Sequence, residues 1–173
     1  MQTKNIFDVI SQSKTIAIFS HIRADGDAVG SIMAFCNYCL AANKQVFVFL
    51  QEPISANFNF LGIQKVANKK HLSSYDLAIC VDCPTFDRFG VYQNEAKKAK
   101  FVVCIDHHLG AENFGDINIV QQDKSSTCEI IFDLFEQNKQ QITPQIATCL
   151  YAGIAADTGR FMHSNTKCSS FLC

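Results

Sequence analysis

Short apolar runs rich in β-branched and aromatic residues recur along the chain, and each is followed by a polar turn. They predict β-strands at residues 15–20, 45–50, 76–81 and 101–105, with a weaker candidate at 117–120. Apolar positions at helical spacing between them predict helices, at residues 6–10, 28–42, 125–138 and from Pro144 towards Gly153. Short helices are predicted at 56–61 and 92–100, and a loop at 83–91. This alternation predicts an α/β fold: a parallel, doubly wound β-sheet flanked by helices.

Residues 1–173 are expected to form a single domain. The chain shows no internal repeat, low-complexity tract or linker. Its length is sufficient for one hydrophobic core.

Metal-competent side chains follow three of the predicted strands. His21, Asp82 and Asp106 stand where those strands end. Further residues of the same kind lie shortly after the strand ends or in a late small-residue loop: Asp25, Asp27, His107, His108 and Asp157. Because parallel strands bring their carboxyl ends to one edge of the sheet, we expect these side chains to converge there.

Five carboxylates in one crevice would repel one another and raise their own pKa values, and divalent cations remove that conflict. The oxygen and imidazole ligands suit Mn²⁺ or Mg²⁺, and Zn²⁺, Co²⁺ and Fe²⁺ are also compatible with them. There are enough ligands for two ions about 3.5–4 Å apart, an arrangement typical of enzymes that hydrolyse phosphate esters or anhydrides. Taken singly, His21 suits a strand-end hydrogen bond, and Asp25, Asp27 and Asp157 suit turns or helix caps. Their joint occurrence favours the metal interpretation.

Composition narrows the class of partner. The chain has 48% hydrophobic and 18% charged residues and a net charge of −1, which favours a globular protein and argues against long duplex DNA as partner. Neither a signal-peptide core nor an apolar run of about 18 residues is present. We therefore expect a cytoplasmic protein with no membrane partner. The sequence leaves its oligomeric state open.

Nine cysteines are present, which fits free thiols in a reducing compartment. Two Cys-x-x-Cys pairs, Cys36/Cys39 and Cys80/Cys83, offer an alternative structural zinc site. The separation of the pairs exceeds the about 15–20 residues of a zinc ribbon, so buried small side chains are the favoured interpretation.

Four motifs in order give the chain its resemblance to a known family. They are His21-x-x-x-Asp25-Gly-Asp27-Ala-x-Gly-Ser31, Val81-Asp82 with Arg88-x-Gly90, Asp106-His107-His108, and Asp157-Thr-Gly-x-Phe161. The chain resembles the DHH phosphoesterases, from the first strand to about Thr166. Within that family it is most similar to the nanoRNase branch, which cleaves short oligoribonucleotides and removes the 3′-phosphate of adenosine 3′,5′-bisphosphate.

The resemblance implies a role for each site residue. One metal ion would be held by His21, Asp25 and Asp82. The second would be held by Asp27, Asp82, His107 and Asp157, with Asp82 bridging. Asp106 would orient an imidazole, His108 would face the scissile phosphate, and Arg88 would contact substrate or hold an aspartate.

The same resemblance implies a hydrolase that uses two ions, Mn²⁺ foremost, and a metal-bridging hydroxide, on short RNA or a small phosphorylated nucleotide. Related branches act as inorganic pyrophosphatases, exopolyphosphatases or cyclic dinucleotide phosphodiesterases, and these remain alternatives. Family members usually continue into a C-terminal substrate-binding domain, which is expected to be absent from this chain. A catalytically silent metal- or nucleotide-binding domain is therefore the non-enzymatic alternative.

Overall fold

A single parallel sheet of five strands forms the centre of the computed structural model, which describes residues 5–51 and 53–173. Residues 1–4 of the predicted domain lie outside the described part. The strands are β1 (Thr15–Phe19), β2 (Gln45–Phe49), β3 (Leu77–Val81), β4 (Val102–Asp106) and β5 (Ile117–Val120). They lie in the order β2-β1-β3-β4-β5 and every pair is parallel. The predicted α/β class is confirmed, and the order is that of a doubly wound sheet.

Helices connect the strands. The α-helices are α1 (Ile6–Gln12), α2 (Gly26–Ala41), α3 (Ile63–Val66), α4 (Gln93–Ala96), α5 (Thr127–Gln137) and α6 (Pro144–Asp157). Three 3₁₀ segments complete the described structure, at Ala56–Leu61, Phe86–Tyr92 and Cys168–Phe171.

The central strands β1, β3 and β4 are largely buried, and their successive side chains point to opposite faces of the sheet. In β1, Ile16 and Ile18 belong to one hydrophobic cluster, whereas Ala17 and Phe19 belong to the other. The first cluster is covered by α1, α2, α5 and α6. The second is smaller and rich in aromatic rings. The interior of the sheet is therefore apolar, and the polar residues lie at the ends of the strands.

Small residues let α2 and α6 cross at very short distance. A Cβ atom built on Gly30 would lie 2.5 Å from the carbonyl oxygen of Cys149, and one on Gly26 would lie 2.3 Å from the Cβ of Ala156. On α6, a Cβ at Gly153 would lie 2.2 Å from the sulfur of Cys128. This close packing brings the C-terminal end of α6 to the edge of the sheet where β1, β3 and β4 end.

Three boundaries differ from the sequence predictions. The predicted loop 83–91 contains the 3₁₀ segment Phe86–Tyr92, which is broken at Gly90 (φ 57°, ψ −124°). The predicted helix 92–100 is only the four residues of α4. The third difference concerns Asp157, which was expected in a loop: α6 runs through Gly153 and ends at Asp157. A glycine within a helix does not end it when a neighbouring helix packs against that glycine.

All nine cysteines are free. Cys36 and Cys39 lie in the first cluster, whereas Cys80 and Cys83 lie in the second, on the other face of the sheet. The two Cys-x-x-Cys pairs therefore do not share a zinc ion, and the zinc alternative is not supported. Within the described residues, no helix is long and apolar enough to cross a bilayer.

Candidate metal centre

The polar residues converge where the chain direction through the sheet reverses. β2 lies on one side of β1, and β3 and the later strands lie on the other. This reversal opens a crevice at the carboxyl ends of β1 and β3, the usual ligand site in such sheets. His21 follows β1, Asp82 follows β3, and Asp106 ends β4.

The first group of candidate ligands is His21, Asp25 and Asp82, whose ligand atoms lie within 4.8 Å of one another. His21 Nε2 is 3.4 Å from Asp82 Oδ2, and His21 Nδ1 donates to the Ile22 carbonyl at 2.7 Å. Because a carbonyl only accepts, a neutral His21 carries its proton on Nδ1 and leaves Nε2 free for a cation. Burial lowers the pKa of His21, but the bonds to Asp82 and Ile22 raise it overall.

Asp25 is held by its own helix. Its Oδ1 caps α2 by accepting from the backbone N–H groups of Asp27 and Ala28, both at 3.0 Å. The side chain is exposed, and only Oδ1 takes part in the cap. Oδ2 therefore remains available to a metal ion beside His21.

The second group surrounds His107. Its Nε2 lies 3.7 Å from Asp82 Oδ1 and 3.9 Å from both Asp27 Oδ2 and Asp157 Oδ2. These distances exceed those of hydrogen bonds, so His107 Nε2 faces three carboxylate oxygens without being hydrogen-bonded to any of them. A cation between them would complete the arrangement, and Asp82 belongs to both groups.

Asp82 has an unusual backbone as well as a central side chain. Its φ is +52°, in the left-handed region that non-glycine residues seldom adopt. Its Oδ1 accepts from Thr127 Oγ1 at 3.1 Å. Burial raises the pKa of Asp82, but the bond from His21 and the positive charges of three histidines lower it overall. Asp82 therefore stays ionised at the centre of the site.

Asp27 and Asp157 carry raised pKa values. Asp27 is buried and accepts from the N–H groups of Thr127 (2.6 Å) and Cys128 (2.9 Å), at the start of α5. Burial, and then the charge of Asp82, raise its pKa well above the usual range. Burial likewise raises the pKa of Asp157, with contributions from Asp82 and Asp25. A bound cation would favour the ionised form of both groups.

The Asp106 carboxylate is hydrogen-bonded to His108, whose Nδ1 also lies 3.7 Å from Asp82 Oδ1. Asp106 Oδ1 accepts from His108 Nδ1 at 2.7 Å and from its backbone N–H at 2.9 Å. The pKa of His108 is raised, chiefly by this bond. His108 is 40% exposed, so its Nε2, on the other side of the ring, remains the nitrogen available to a substrate. These bonds join Asp106 to the imidazole of His108, and the orienting role of Asp106 stays a prediction.

Arg88 makes no ion pair with any carboxylate among the described residues. The Nε atom of Arg88 is buried and has no hydrogen-bond partner among the described residues. Burial and the charge of Asp106 raise the pKa of Cys83, and the charge of Arg88 partly offsets that rise. The backbone carbonyl of Arg88 accepts from Ile22 N–H at 2.8 Å, which ties its segment to the loop after β1. Arg88 therefore holds no aspartate among the described residues, and its role in the site stays a prediction.

Four residues that orient the carboxylates without being candidate ligands were not predicted from the sequence: Ser125, Thr127, Cys128 and Asn165. The one available signal was a capping box. Ser126 caps α5 and Glu129 stands three residues later, which marks a helix start. That pattern does not say that the helix start contacts Asp27, because the contact is made only by the tertiary fold.

The donor set fits divalent cations. In the described part of the chain, two groups have ligand atoms within 4.8 Å of one another: His21, Asp25 and Asp82, and Asp82, His107 and His108. Both groups consist of carboxylate oxygens and imidazole nitrogens, and they share Asp82. Oxygen-rich sites of this kind suit Mn²⁺ and Mg²⁺ better than soft metals. The six expected ligands are all brought together by the fold.

Two curated relatives and one solved structure describe what the chain is similar to. It is 30% identical over 169 residues to a probable bifunctional oligoribonuclease and PAP phosphatase NrnA of Streptococcus mutans, covering 98% of this chain and 54% of the relative. It is 28% identical over 161 residues to the bifunctional oligoribonuclease and PAP phosphatase NrnA of Bacillus subtilis, covering 91% and 50%. The chain thus spans about half the length of the curated relatives it matches.

The fold has a solved counterpart. An exopolyphosphatase-related protein from Bacteroides fragilis superposes with a TM-score of 0.88 at 23% identity, over 96% of this chain and 53% of the other. At that identity the likeness concerns the fold alone.

A family model identifies the chain directly. The model of the DHH family, N-terminal domain, matches residues 15–154. This range contains every candidate site residue except Asp157, which lies three positions beyond it. Together with the ordered motifs and their convergence at the edge of the sheet, this match shows that the chain belongs to the DHH family.

Proposed function

We propose that this chain carries the two-metal centre of a phosphoesterase that hydrolyses short oligoribonucleotides and adenosine 3′,5′-bisphosphate. The observation that supports it most is the position of Asp82. One of its oxygens lies 3.4 Å from His21 Nε2, and the other lies 3.7 Å from His107 Nε2. A single carboxylate placed between two ligand groups is what a bridged pair of ions requires.

Two Mn²⁺ ions are the proposed cofactors. His21, Asp25 and Asp82 would hold one, and Asp27, Asp82, His107 and Asp157 would hold the other. When bound, such a pair activates a water molecule for attack on phosphorus and neutralises the phosphate oxygens. The oxygen-rich donor set supports Mn²⁺ over a thiophilic ion.

The chain's own residues bind and orient the substrate in this proposal. His108 is half-exposed at the rim of the crevice, and Asp106 raises its pKa. A protonated His108 would bind the scissile phosphate and donate a proton to the leaving oxygen. Arg88, which has no carboxylate partner among the described residues, would bind a second substrate phosphate.

The substrate class is supported by the two curated relatives, whose names give oligoribonuclease and PAP phosphatase activity. The net charge of −1 supports a short substrate held by metal ions over a long duplex held by a basic surface. We infer a single domain and a reducing, cytoplasmic setting, which agrees with nine free thiols.

The test is product formation from a 5′-phosphorylated RNA dinucleotide and from adenosine 3′,5′-bisphosphate, with Mn²⁺ and with chelator. Asp82→Asn is the decisive variant. Asparagine tolerates the left-handed φ of this position, so the backbone is retained while the charge is lost. We expect activity to fall at least about 100-fold, since loss of groups that merely orient ligands already costs about 10–100-fold. Asp8→Asn, on the exposed face of α1, is the matched control and should retain full activity.

Each alternative predicts a different result. Phosphate release from pyrophosphate or polyphosphate with none from the nucleotides would favour the pyrophosphatase or exopolyphosphatase alternative. Metal and nucleotide binding without any product would favour a silent binding domain. Undiminished hydrolysis by Asp82→Asn would contradict the bridging role.

A further inference from the structure

The start of α5 and Asn165 together contact three carboxylates of the site while contributing no candidate ligand. We call residues 125–128 together with Asn165 the bracket. Thr127 and Cys128 donate their N–H groups to Asp27, at 2.6 and 2.9 Å. Thr127 Oγ1 also donates to Asp82 at 3.1 Å. Asn165 donates to Asp157, so the bracket is hydrogen-bonded to Asp27, Asp82 and Asp157.

Asn165 joins the bracket to Asp157. Its Nδ2 lies 3.1 Å from the Ser125 carbonyl, 3.2 Å from the Asp157 carbonyl and 3.1 Å from Asp157 Oδ2. All three neighbours only accept hydrogen bonds when Asp157 is ionised, so the amide must present its NH₂ group to them. Asn165 Oδ1 is left buried without a partner among the described residues. In the orientation that directs its NH₂ group at Asp157, the Asn165 amide therefore leaves its oxygen without a hydrogen bond.

The two ligand groups differ in what orients them. Asp25 is held by amides of its own helix, and His21 is held by the neighbouring Ile22 carbonyl. Neither of these residues is hydrogen-bonded to the bracket. Asp27 and Asp157 come from different helices, and both depend on the bracket for hydrogen bonds. Only Asp82 is shared.

We propose that Asn165 is a positioning residue for one of the two metal ions, the one between Asp27, His107 and Asp157. The inference rests on the proposed two-metal function and deepens it. The second ion needs Asp157 Oδ2 at a defined place, and Asp157 ends a helix and is partly exposed. The Asn165 amide supplies the fixed contact from Ser125 that holds the carboxylate there. The ion beside His21 and Asp25 does not depend on it.

The test is Mn²⁺ binding by Asn165→Leu and Asn165→Ala, measured by calorimetry on the full chain. Leucine keeps most of the volume and alanine avoids overpacking, and both remove the donor. We expect two bound ions in the wild type. In both variants one ion, assigned to the site with Asp157, should lose about 10–100-fold in affinity while the other is unchanged. Electron paramagnetic resonance should then show an isolated Mn²⁺ signal in place of the coupled pair.

Asn118→Leu is the matched control, because Asn118 also braces a loop, through the Gly115 N–H and carbonyl, but does not contact the site. It should bind two ions as the wild type does. Two equally tight ions in both Asn165 variants would overturn the positioning role and leave the two-metal function standing. A wild type that binds no Mn²⁺ would overturn both. Equal weakening of both ions in both variants would also overturn the selective role.

Discussion

Glu129 is a carboxylate with a side chain that is fully buried in α5. Its Oε2 accepts from the Ser125 N–H at 2.9 Å and from the Ser125 hydroxyl at 2.5 Å, and its Oε1 accepts from Lys124 Nζ at 3.0 Å. Burial raises the pKa of Glu129, but these bonds outweigh burial and lower it to about 2. Glu129 therefore braces the turn at Ser125, two residues before Thr127, whose donors bond the site carboxylates.

Glu129→Gln should lower the free energy of unfolding at neutral pH by about 1–3 kcal/mol, because the neutral amide loses charge-assisted bonds inside the protein. The folded pKa of about 2 lies below the ordinary value of 4.5. The stabilisation by Glu129 is therefore complete above about pH 4.5 and is lost as the pH falls towards 2.

Urea unfolding of wild type and variant at a series of pH values measures this difference. The gap between the two should be constant near neutrality and should narrow below about pH 4.5. Glu136→Gln, an exposed position on the same helix, is the control and should change little. A gap that widens in acid would contradict the assignment.

At the residue scale, the candidate ligands were predictable and their supports were not. His21, Asp82 and Asp106 were predicted because each stands at the end of a strand that its own sequence segment identifies. Parallel strands then bring those ends to one edge of the sheet. Thr127, Glu129 and Asn165 have ordinary sequence surroundings. Their roles come from contacts between segments up to 100 residues apart, such as Thr127 with Asp27. Local sequence patterns do not predict which distant residues form such pairs.

At the element scale, the crossing of α2 and α6 decides where Asp157 lies. Gly30 faces the backbone of α6, and Gly153 faces Cys128 at the start of α5. With any larger residue at these positions the helices would separate. The carboxylate at the end of α6 would then move away from His107.

The Gly30→Ala variant tests this crossing by the sign of its effect on the free energy of unfolding. In a free helix the change stabilises by about 1 kcal/mol, because alanine has the higher helix propensity. Here the new methyl group would lie 2.5 Å from a backbone carbonyl oxygen, so we expect a net destabilisation of about 1–3 kcal/mol.

Thermal and urea unfolding of the wild type and the Gly30→Ala variant show whether the substitution raises or lowers the free energy of unfolding. A more stable variant would show that the helices are not in close contact at Gly30.

The strands and long helices were predicted within a few residues of their bounds, because hydrophobic periodicity and caps act locally. The short segments were less accurate. Phe86–Tyr92 is a 3₁₀ segment stabilised by aromatic contacts, such as Phe89 with Phe19 and Phe114. Those partners lie in other parts of the chain, so the sequence around residues 83–91 indicated only a loop.

At the scale of the whole molecule, the site concentrates negative charge at one edge of the sheet. Cations that bind the folded chain and not the unfolded chain stabilise it by mass action. Mn²⁺ at about 100 times its dissociation constant should add about 2.7 kcal/mol for one site. The melting temperature should therefore rise with Mn²⁺ and return to its starting value with chelator.

Differential scanning calorimetry with and without Mn²⁺ measures the shift, and Asp82→Asn should show much less of it. Asp8→Asn should shift as the wild type does. A rise of equal size in Asp82→Asn would place the stabilising ion elsewhere in the protein.

The origins of the ligands along the chain have a further consequence. His21 follows the first strand of the sheet, whereas Asp157 ends the last α-helix. A folding intermediate in which α6 is still undocked would already hold His21, Asp25 and Asp82 together but would lack the second group. If the proposed two-metal function holds, such an intermediate would bind one ion and lack activity, so the number of Mn²⁺ ions bound per chain would report whether α6 has docked.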